Sequence, residues 1–151
     1  MKMQLTQKEI SLIKDLKDQE QLCIDKYTKH AGCAMDSQLK ALFTGIAGTE
    51  RKHLEMLTQI EGGMVPVVDS TDSPLPTFKA KYSQCECSDK SNDCYLCTDL
   101  LSTEKHASHL YDTCIFEFTD TGVRKALAHI QKEEQQHGKC IYDYMATNCM
   151  Y

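Results

Sequence analysis

The apolar residues of the chain recur every three or four positions over four long stretches, and this spacing predicts four amphipathic helices. Gly32 and the pair Gly62-Gly63 end the first two stretches, while Asp36 and Asp120 suit the caps that begin the second and fourth. We expect helices at about residues 6–32, 36–61, 92–118 and 120–147. The predicted fold class is therefore all-α.

Residues 62–91 interrupt this pattern and form a predicted crossover loop. They contain all three prolines of the chain, Pro66, Pro74 and Pro76. If helices 1 and 2 form one hairpin and helices 3 and 4 another, related by two-fold symmetry, helices 2 and 3 run parallel. The loop must then travel the length of the bundle, about 40 Å for a helix of roughly 27 residues.

The second half of the chain repeats the first at an offset of 84 residues. Matched pairs include Leu16/Leu100, Tyr27/Tyr111, Asp36/Asp120 and Ile46/Ile130. A diverged duplication of one helical hairpin explains this pattern. We therefore predict a single domain over residues 1–151, a four-helix bundle made of two pseudo-two-fold-related hairpins.

The repeat also places polar residues within the apolar stripes. These residues are Glu20, Glu50 and His53 in the first half and Glu104, Glu134 and His137 in the second. A single glutamate could reach solvent at the edge of its stripe, but four at corresponding heights favour a shared site, because glutamate is almost never fully buried alone.

The chemistry of this set predicts a two-metal centre. In a helix, residues three apart share a face, so each Glu-x-x-His pair presents an oxygen and a nitrogen side by side. Two divalent ions would neutralise four carboxylates and leave the imidazoles neutral. Oxygen and nitrogen ligands without thiolate suit iron or manganese, with zinc as an alternative.

This six-residue pattern resembles that of the ferritin-like carboxylate proteins, which include rubrerythrins and bacterioferritins. The segments Asp99–Lys105, Ala128–Gly138 and Tyr142–Met145 look like the CotF-type spore coat proteins of endospore-forming bacteria. The resemblance covers both hairpins, and it implies a ferritin-like four-helix bundle.

The resemblance also implies roles for the six residues. It makes Glu50 and Glu134 bridging ligands, Glu20 and Glu104 terminal ligands, and His53 and His137 ligands of one metal each.

Ferritin-like relatives further imply a tyrosine beside the metal ligands, seven residues after the first glutamate. Tyr27 occupies that position and Tyr111 repeats it, so both are expected to assist catalysis through hydrogen bonds or protons. Rubrerythrin-like peroxidases add another glutamate one turn after the third-helix glutamate, where this chain has Ala107. A rubrerythrin-type movement of one metal is therefore not expected.

Four cysteines around the end of the loop suggest a second metal site. Cys85 and Cys87 precede Cys94 and Cys97 by a short spacer, and four thiolates suit tetrahedral zinc or a single iron. Redox disulfides and inert or intermolecular thiols are the alternatives, and Cys97 also lies on an inward stripe where it could simply fill the core. By analogy with rubrerythrins, an iron here would supply electrons to the two-metal centre.

The remaining cysteines and histidines support plainer interpretations. We expect Cys23 and Cys140 to pack as small apolar side chains, with a redox or ligand role as the alternative. Four histidines are predicted to lie on the surface: His30, His106, His109 and His129.

Charge and composition limit the classes of binding partner that we expect. The formal net charge of −5 argues against nucleic acid or an anionic membrane surface, and no run approaches the roughly 18 apolar residues of a membrane span. Residues Met1–Ile10 lack an apolar signal segment, and nine cysteines without one indicate reduced thiols in the cytoplasm. The expected partners are metal ions, further copies of the chain and other coat proteins.

Three functions follow as hypotheses. The leading one is a cytoplasmic protein assembled into the spore coat, whose two metals carry oxidase or peroxidase chemistry on dioxygen or peroxide. The second is a structural coat component in which metals stabilise the bundle and cysteines cross-link neighbours. The third is metal storage, and the sequence leaves open whether the protein is an enzyme.

Overall fold

Four helices and no strands make up the part of the chain that the structure describes, and the predicted all-α class is confirmed. The structure is a computed structural model, and it describes residues 2–69, 71, 73–84 and 86–151. The helices are α1 Gln7–Cys33, α2 Ser37–Glu61, α3 Ser88–Glu117 and α4 Thr121–Thr147. Across these described residues, none of the helices combines the length and the apolar character that a membrane span requires.

Side-chain caps fix where three of the helices begin. Thr6 and Glu9 form a reciprocal capping box at the start of α1. The Asp36 carboxylate accepts a hydrogen bond from the backbone N–H of Gln38 at 3.0 Å, and Asp120 accepts one from Val123 at 2.9 Å. The two aspartates therefore cap matching helices of the two hairpins.

The start of α3 differs from the prediction, since the helix begins at Ser88 rather than near residue 92. No side chain caps this end, but tertiary contacts hold its first turns. The buried Asp93 carboxylate accepts hydrogen bonds from the backbone N–H groups of Met35 and Asp36 and from the Tyr82 hydroxyl, at 2.7 to 2.9 Å. These partners lie on other segments, so the local sequence does not reveal them.

The apolar core consists of two clusters, one toward each end of the bundle. The first includes Tyr27, Leu39, Phe43, Ile46, Leu100, Ile141 and Tyr144. The second includes Ile13, Leu16, Leu57, Ile60, Tyr111, Leu127 and Ile130. Because α2 and α3 both run from the first cluster to the second, they are parallel, as the crossover topology requires.

The second part of the crossover is anchored on the bundle. The Gln38 side chain exchanges two hydrogen bonds with the backbone of Lys79, each 2.9 Å long. The Asn148 side-chain oxygen accepts from the backbone N–H groups of Lys81 and Tyr82. These contacts bring Tyr82 to Asp93 and link the crossover to the start of α3.

Replacing Asp93 by alanine should lower the free energy of unfolding by about 3 kcal/mol, because three donors lose their acceptor and two of these hydrogen bonds are buried. Urea denaturation followed by circular dichroism measures the change. Asp18→Ala, at an exposed position of α1, is the control and should change stability by less than about 0.5 kcal/mol. Equal effects of the two substitutions would contradict the role of Asp93.

Candidate metal centre

The six polar residues of the repeat meet in one layer between the two apolar clusters. All are buried, with side chains that come from all four helices: Glu20, Glu50, His53, Glu104, Glu134 and His137. The helical pattern explains the layer, since each helix carries its glutamate between residues of the first cluster and residues of the second.

Two groups of side chains that could each hold a metal ion lie within this layer, and they are called the ligand groups below. Glu20 and His53 make the first group together with Glu50 and Glu134, and every ligand atom lies within 4.8 Å of the others. Glu104 and His137 make the second group with the same Glu50 and Glu134. The two groups thus share two carboxylates and differ in one glutamate and one histidine each.

Each histidine points its Nδ1 atom at a shared carboxylate from the other hairpin. His53 Nδ1 lies 3.1 Å from Glu134 Oε1, and His137 Nδ1 lies 3.0 Å from Glu50 Oε1. The two rings are stacked with centroids 6.0 Å apart. The arrangement reproduces the two-fold relation of the hairpins at the level of single atoms.

The two predicted tyrosines contact the layer in a reciprocal way. The Tyr27 hydroxyl donates to Glu104 Oε1, and the Tyr111 hydroxyl donates to Glu20 Oε1, both at 2.5 Å. Each tyrosine therefore reaches the unshared glutamate of the opposite hairpin. Both rings are fully buried, so these hydrogen bonds also tie the two hairpins together.

Three carboxylate oxygens of the layer are buried without a hydrogen-bond partner among the described residues: Glu20 Oε2, Glu104 Oε2 and Glu134 Oε2. Buried polar atoms normally have partners, and an unsatisfied one usually indicates an ion or water at the site. Two divalent cations would satisfy these oxygens and the Nδ1 atoms. The donor set therefore fits a pair of oxygen- and nitrogen-ligated metals.

Protons compensate the charge of the layer when no cation does. Burial raises the pKa of Glu20 to about 7, and burial together with nearby Glu104 raises the pKa of Glu134 well above its usual range. Burial opposes charge on both histidines, yet the surrounding carboxylates hold the pKa of each well above its ordinary value. Metal binding would displace these protons.

The pKa of Glu50 is shifted in the opposite direction to that of Glu20. Burial favours its neutral form, but the neighbouring Glu20 carboxyl and both histidines outweigh burial and lower its pKa. Glu50 thus stays ionised at the centre of the layer, where it lies within reach of both ligand groups.

Glu133 is a part of the site that the sequence did not indicate. Its Oε1 atom lies 3.0 Å from Nε2 of His53 and 3.0 Å from Nε2 of His129. A carboxylate on the outer nitrogen of a ligand histidine fixes the ring and raises its basicity. Glu133 directly precedes Glu134 in an acidic, polar stretch of α4, and nothing in that stretch distinguishes it from a solvated residue.

Two histidines expected at the surface are partly buried and paired instead. His129 contacts Glu133, and Nε2 of His30 lies 2.8 Å from Asp99 Oδ2. Cys23 and Cys140 are buried, and burial raises the pKa of both thiols, which keeps them protonated.

The predicted thiolate site is only partly visible, because Cys85 lies outside the described residues. Cys87 occupies the N-cap position of α3, although its side chain makes no capping hydrogen bond. Cys94 is half-buried, and Cys97 is fully buried in the first apolar cluster. Within the described ranges, these three thiols do not come together as a ligand group for one ion. Burial raises the pKa of Cys97, which suits core packing. The tetrathiolate site remains a prediction.

The metal-free protein should become less stable as the pH rises. A carboxyl whose pKa is raised on folding keeps its proton in the folded state between pH 4.5 and about 7, whereas the unfolded chain loses that proton, so the folded state loses stability across this range. The unfolding free energy should fall by about 1.4 kcal/mol per pH unit for each such proton. Urea denaturation of the protein at pH 5, 6 and 7, with a chelator present to remove metal ions, measures this free energy.

Glu20→Gln is the control for this titration, because an amide mimics the protonated carboxyl at every pH. The variant should show a shallower pH dependence than the parent protein. A stability that stays constant from pH 5 to 7 in the parent protein would contradict the assignment.

Comparison with known proteins agrees with this architecture. Residues 92–151 match the Coat F domain family, and this range covers most of α3 and all of α4. A solved structure of the bacterioferritin-related protein from Bacteroides fragilis, described as a dodecameric thioferritin, superposes with a TM-score of 0.67 at 22% identity. The match covers 92% of this chain and 84% of that one. No curated protein sequence gives a significant match. The chain therefore has the fold of a ferritin-like four-helix bundle, and its residues 92–151 are similar to the Coat F domain family.

Proposed function

We propose that this chain is a ferritin-like protein of the spore coat that binds two iron or manganese ions in the buried layer. The observation that carries the proposal is the pair of ligand groups that share Glu50 and Glu134. The Coat F match supports the location, and the three carboxylate oxygens without partners support the metals. Zinc would fit the same donor atoms.

The proposed ligand roles follow from membership of the two groups. Glu50 and Glu134 belong to both, so they would bridge the ions. Glu20 and His53 would complete one coordination sphere, and Glu104 with His137 would complete the other. The duplication therefore supplies each ion with an equivalent set.

The two tyrosines orient the unshared glutamates. Tyr111 donates to Oε1 of Glu20, which leaves Oε2 of that carboxylate without a protein partner. Tyr27 does the same for Glu104. Burial and the adjacent carboxylates raise the pKa of both hydroxyls, so they remain donors at any physiological pH. In this proposal Glu20 and Glu104 would hold the ions through these unpartnered carboxylate oxygens.

The proposed activity is that of an oxidase, which reduces dioxygen, or of a peroxidase, which reduces peroxide. A bound pair of iron or manganese ions would supply the electron exchange that such substrates require. The chain would exclude bulk water through the apolar clusters and hold a proton on each tyrosine beside the layer. Glu133 would keep His53 oriented through its Nε2 atom. Ala107 is buried where rubrerythrin-like peroxidases carry a glutamate, so a fixed pair of ions fits better than a mobile one.

A structural role in the coat is the second candidate function. Cys33 and Cys149 are exposed thiols, and both could form intermolecular disulfides with other coat proteins or with copies of this chain. The dodecameric state described for the similar bacterioferritin-related protein supports self-association. In this role the ions would stabilise the bundle without turnover.

Metal content should separate shared from unshared ligands. The parent protein should retain about two ions per chain after loading and desalting, as the two ligand groups require. Glu134→Ala should lose both ions, because it removes a member of each group, whereas Glu20→Ala should retain about one. Elemental analysis measures the content, with the exposed Glu55→Ala on α2 as control. Equal losses in the Glu20 and Glu134 variants would contradict the sharing.

Turnover distinguishes the two candidate functions. If the ions are catalytic, the loaded protein should consume peroxide or oxidise ferrous iron faster than buffer, and Glu134→Ala should abolish the excess rate. An absorbance assay for each substrate provides the measurement. A loaded protein that melts at a higher temperature than the metal-free form yet shows no excess rate would support the structural role and refute the catalytic one.

A further inference from the structure

A groove between α3 and α4 connects the surface with the metal layer. It encloses about 470 Å³, and its lining includes the buried carboxylates of Glu104 and Glu134. Exposed side chains of Lys105, His109 and Gln135 also line it. The groove therefore runs from solvent to two of the ligand residues.

The other hairpin has a groove at the corresponding place, but that groove does not reach the layer. Gln21, Ile24, Arg51 and Leu54 are among its lining residues. Within the described residues, its lining includes none of the six ligand candidates. The duplication has thus produced one groove that reaches the metal layer and one that ends before it. The second is called the closed groove below.

The residues that differ between the two grooves explain this asymmetry. At the offset of 84 residues, Ser108 replaces Ile24 and Gly138 replaces Leu54. Both changes remove apolar bulk between the helices of the second hairpin. Ile24 is only 7% exposed, so its side chain fills the space that is open beside Ser108.

Packing does not require glycine at position 138. A Cβ atom added there would meet only Leu101 Cδ1 within 4 Å, at an ordinary contact distance of 3.6 Å. Glycine in a helix interior costs about 1 kcal/mol relative to alanine. A small residue at this position therefore leaves the groove open, although the packing of the fold does not require one.

A second cavity approaches the layer from α2 and the crossover. It encloses about 460 Å³ and is lined by His137, Phe78 and Leu42, but by no carboxylate ligand among the described residues. Moving a hydrated cation into apolar surroundings is costly. The α3–α4 groove instead ends at Glu104 and Glu134, each of which has one buried oxygen without a partner.

We propose that the α3–α4 groove is the entry route for divalent metal ions and that Ser108 and Gly138 keep it open. This inference rests on the proposed metal centre. Unpartnered oxygens of Glu104 and Glu134 would be the first ligands that an entering ion meets. The closed groove of the first hairpin leaves Glu20 to be reached from within the layer.

Stopped-flow binding of Co²⁺, followed by its visible absorption, tests the route with matched substitutions. Gly138→Leu restores the residue of the closed groove and should slow uptake at least about tenfold, because entry then requires a rearrangement of the bundle. The number of ions bound at equilibrium should not change. Gly45→Leu fills the second cavity from an exposed position of α2, where an added Cβ meets nothing within 4 Å, and should leave the rate unchanged.

Ser108→Ile provides an independent block of the same groove, and circular dichroism checks that each variant is folded. Two ions bound at the parent rate in both blocked variants would overturn the route while the metal centre stands. Slower uptake in Gly45→Leu alone would also overturn it, in favour of the second cavity. A parent protein that takes up no Co²⁺ would overturn the metal centre and the route together.

Discussion

Neutralisation of the buried carboxylates is the constraint on which the rest of the structure depends. Four glutamates in one layer repel one another, and burial removes the water that would otherwise solvate them. The two histidines, the two tyrosine hydroxyls and retained protons offset part of this cost. Two cations, one in each of the two ligand groups, would offset the rest of this cost and would release the protons.

The hairpin duplication explains both the symmetry of the layer and its useful departures from symmetry. Reciprocal hydrogen bonds from Tyr27 and Tyr111 show that the two-fold relation has been kept where the glutamates of the layer are positioned. It has been lost in the surroundings, where Glu133 corresponds to Thr49 and Gly138 to Leu54. One histidine thereby gains a carboxylate on its outer nitrogen, and one hairpin gains an open groove.

The sequence predicted those parts of the molecule that have periodic or repeated signals. Four helices, their parallel middle pair and the layer that contains Glu50 and His53 all follow from stripe spacing and duplication. The early start of α3 was not predictable, because Asp93 and Tyr82 meet only after the crossover has folded onto the bundle. Glu133 was missed because a single carboxylate at the edge of a polar stretch has no periodic signature.

The position of bound ions relative to Glu50 and Glu134 is the most direct test of a two-metal centre with shared carboxylates. Anomalous diffraction from crystals loaded with manganese or iron would locate the ions independently of any activity. Two peaks per chain are expected, each within bonding distance of both Glu50 and Glu134. A single peak, or peaks bound by thiols outside the carboxylate layer, would contradict this expectation.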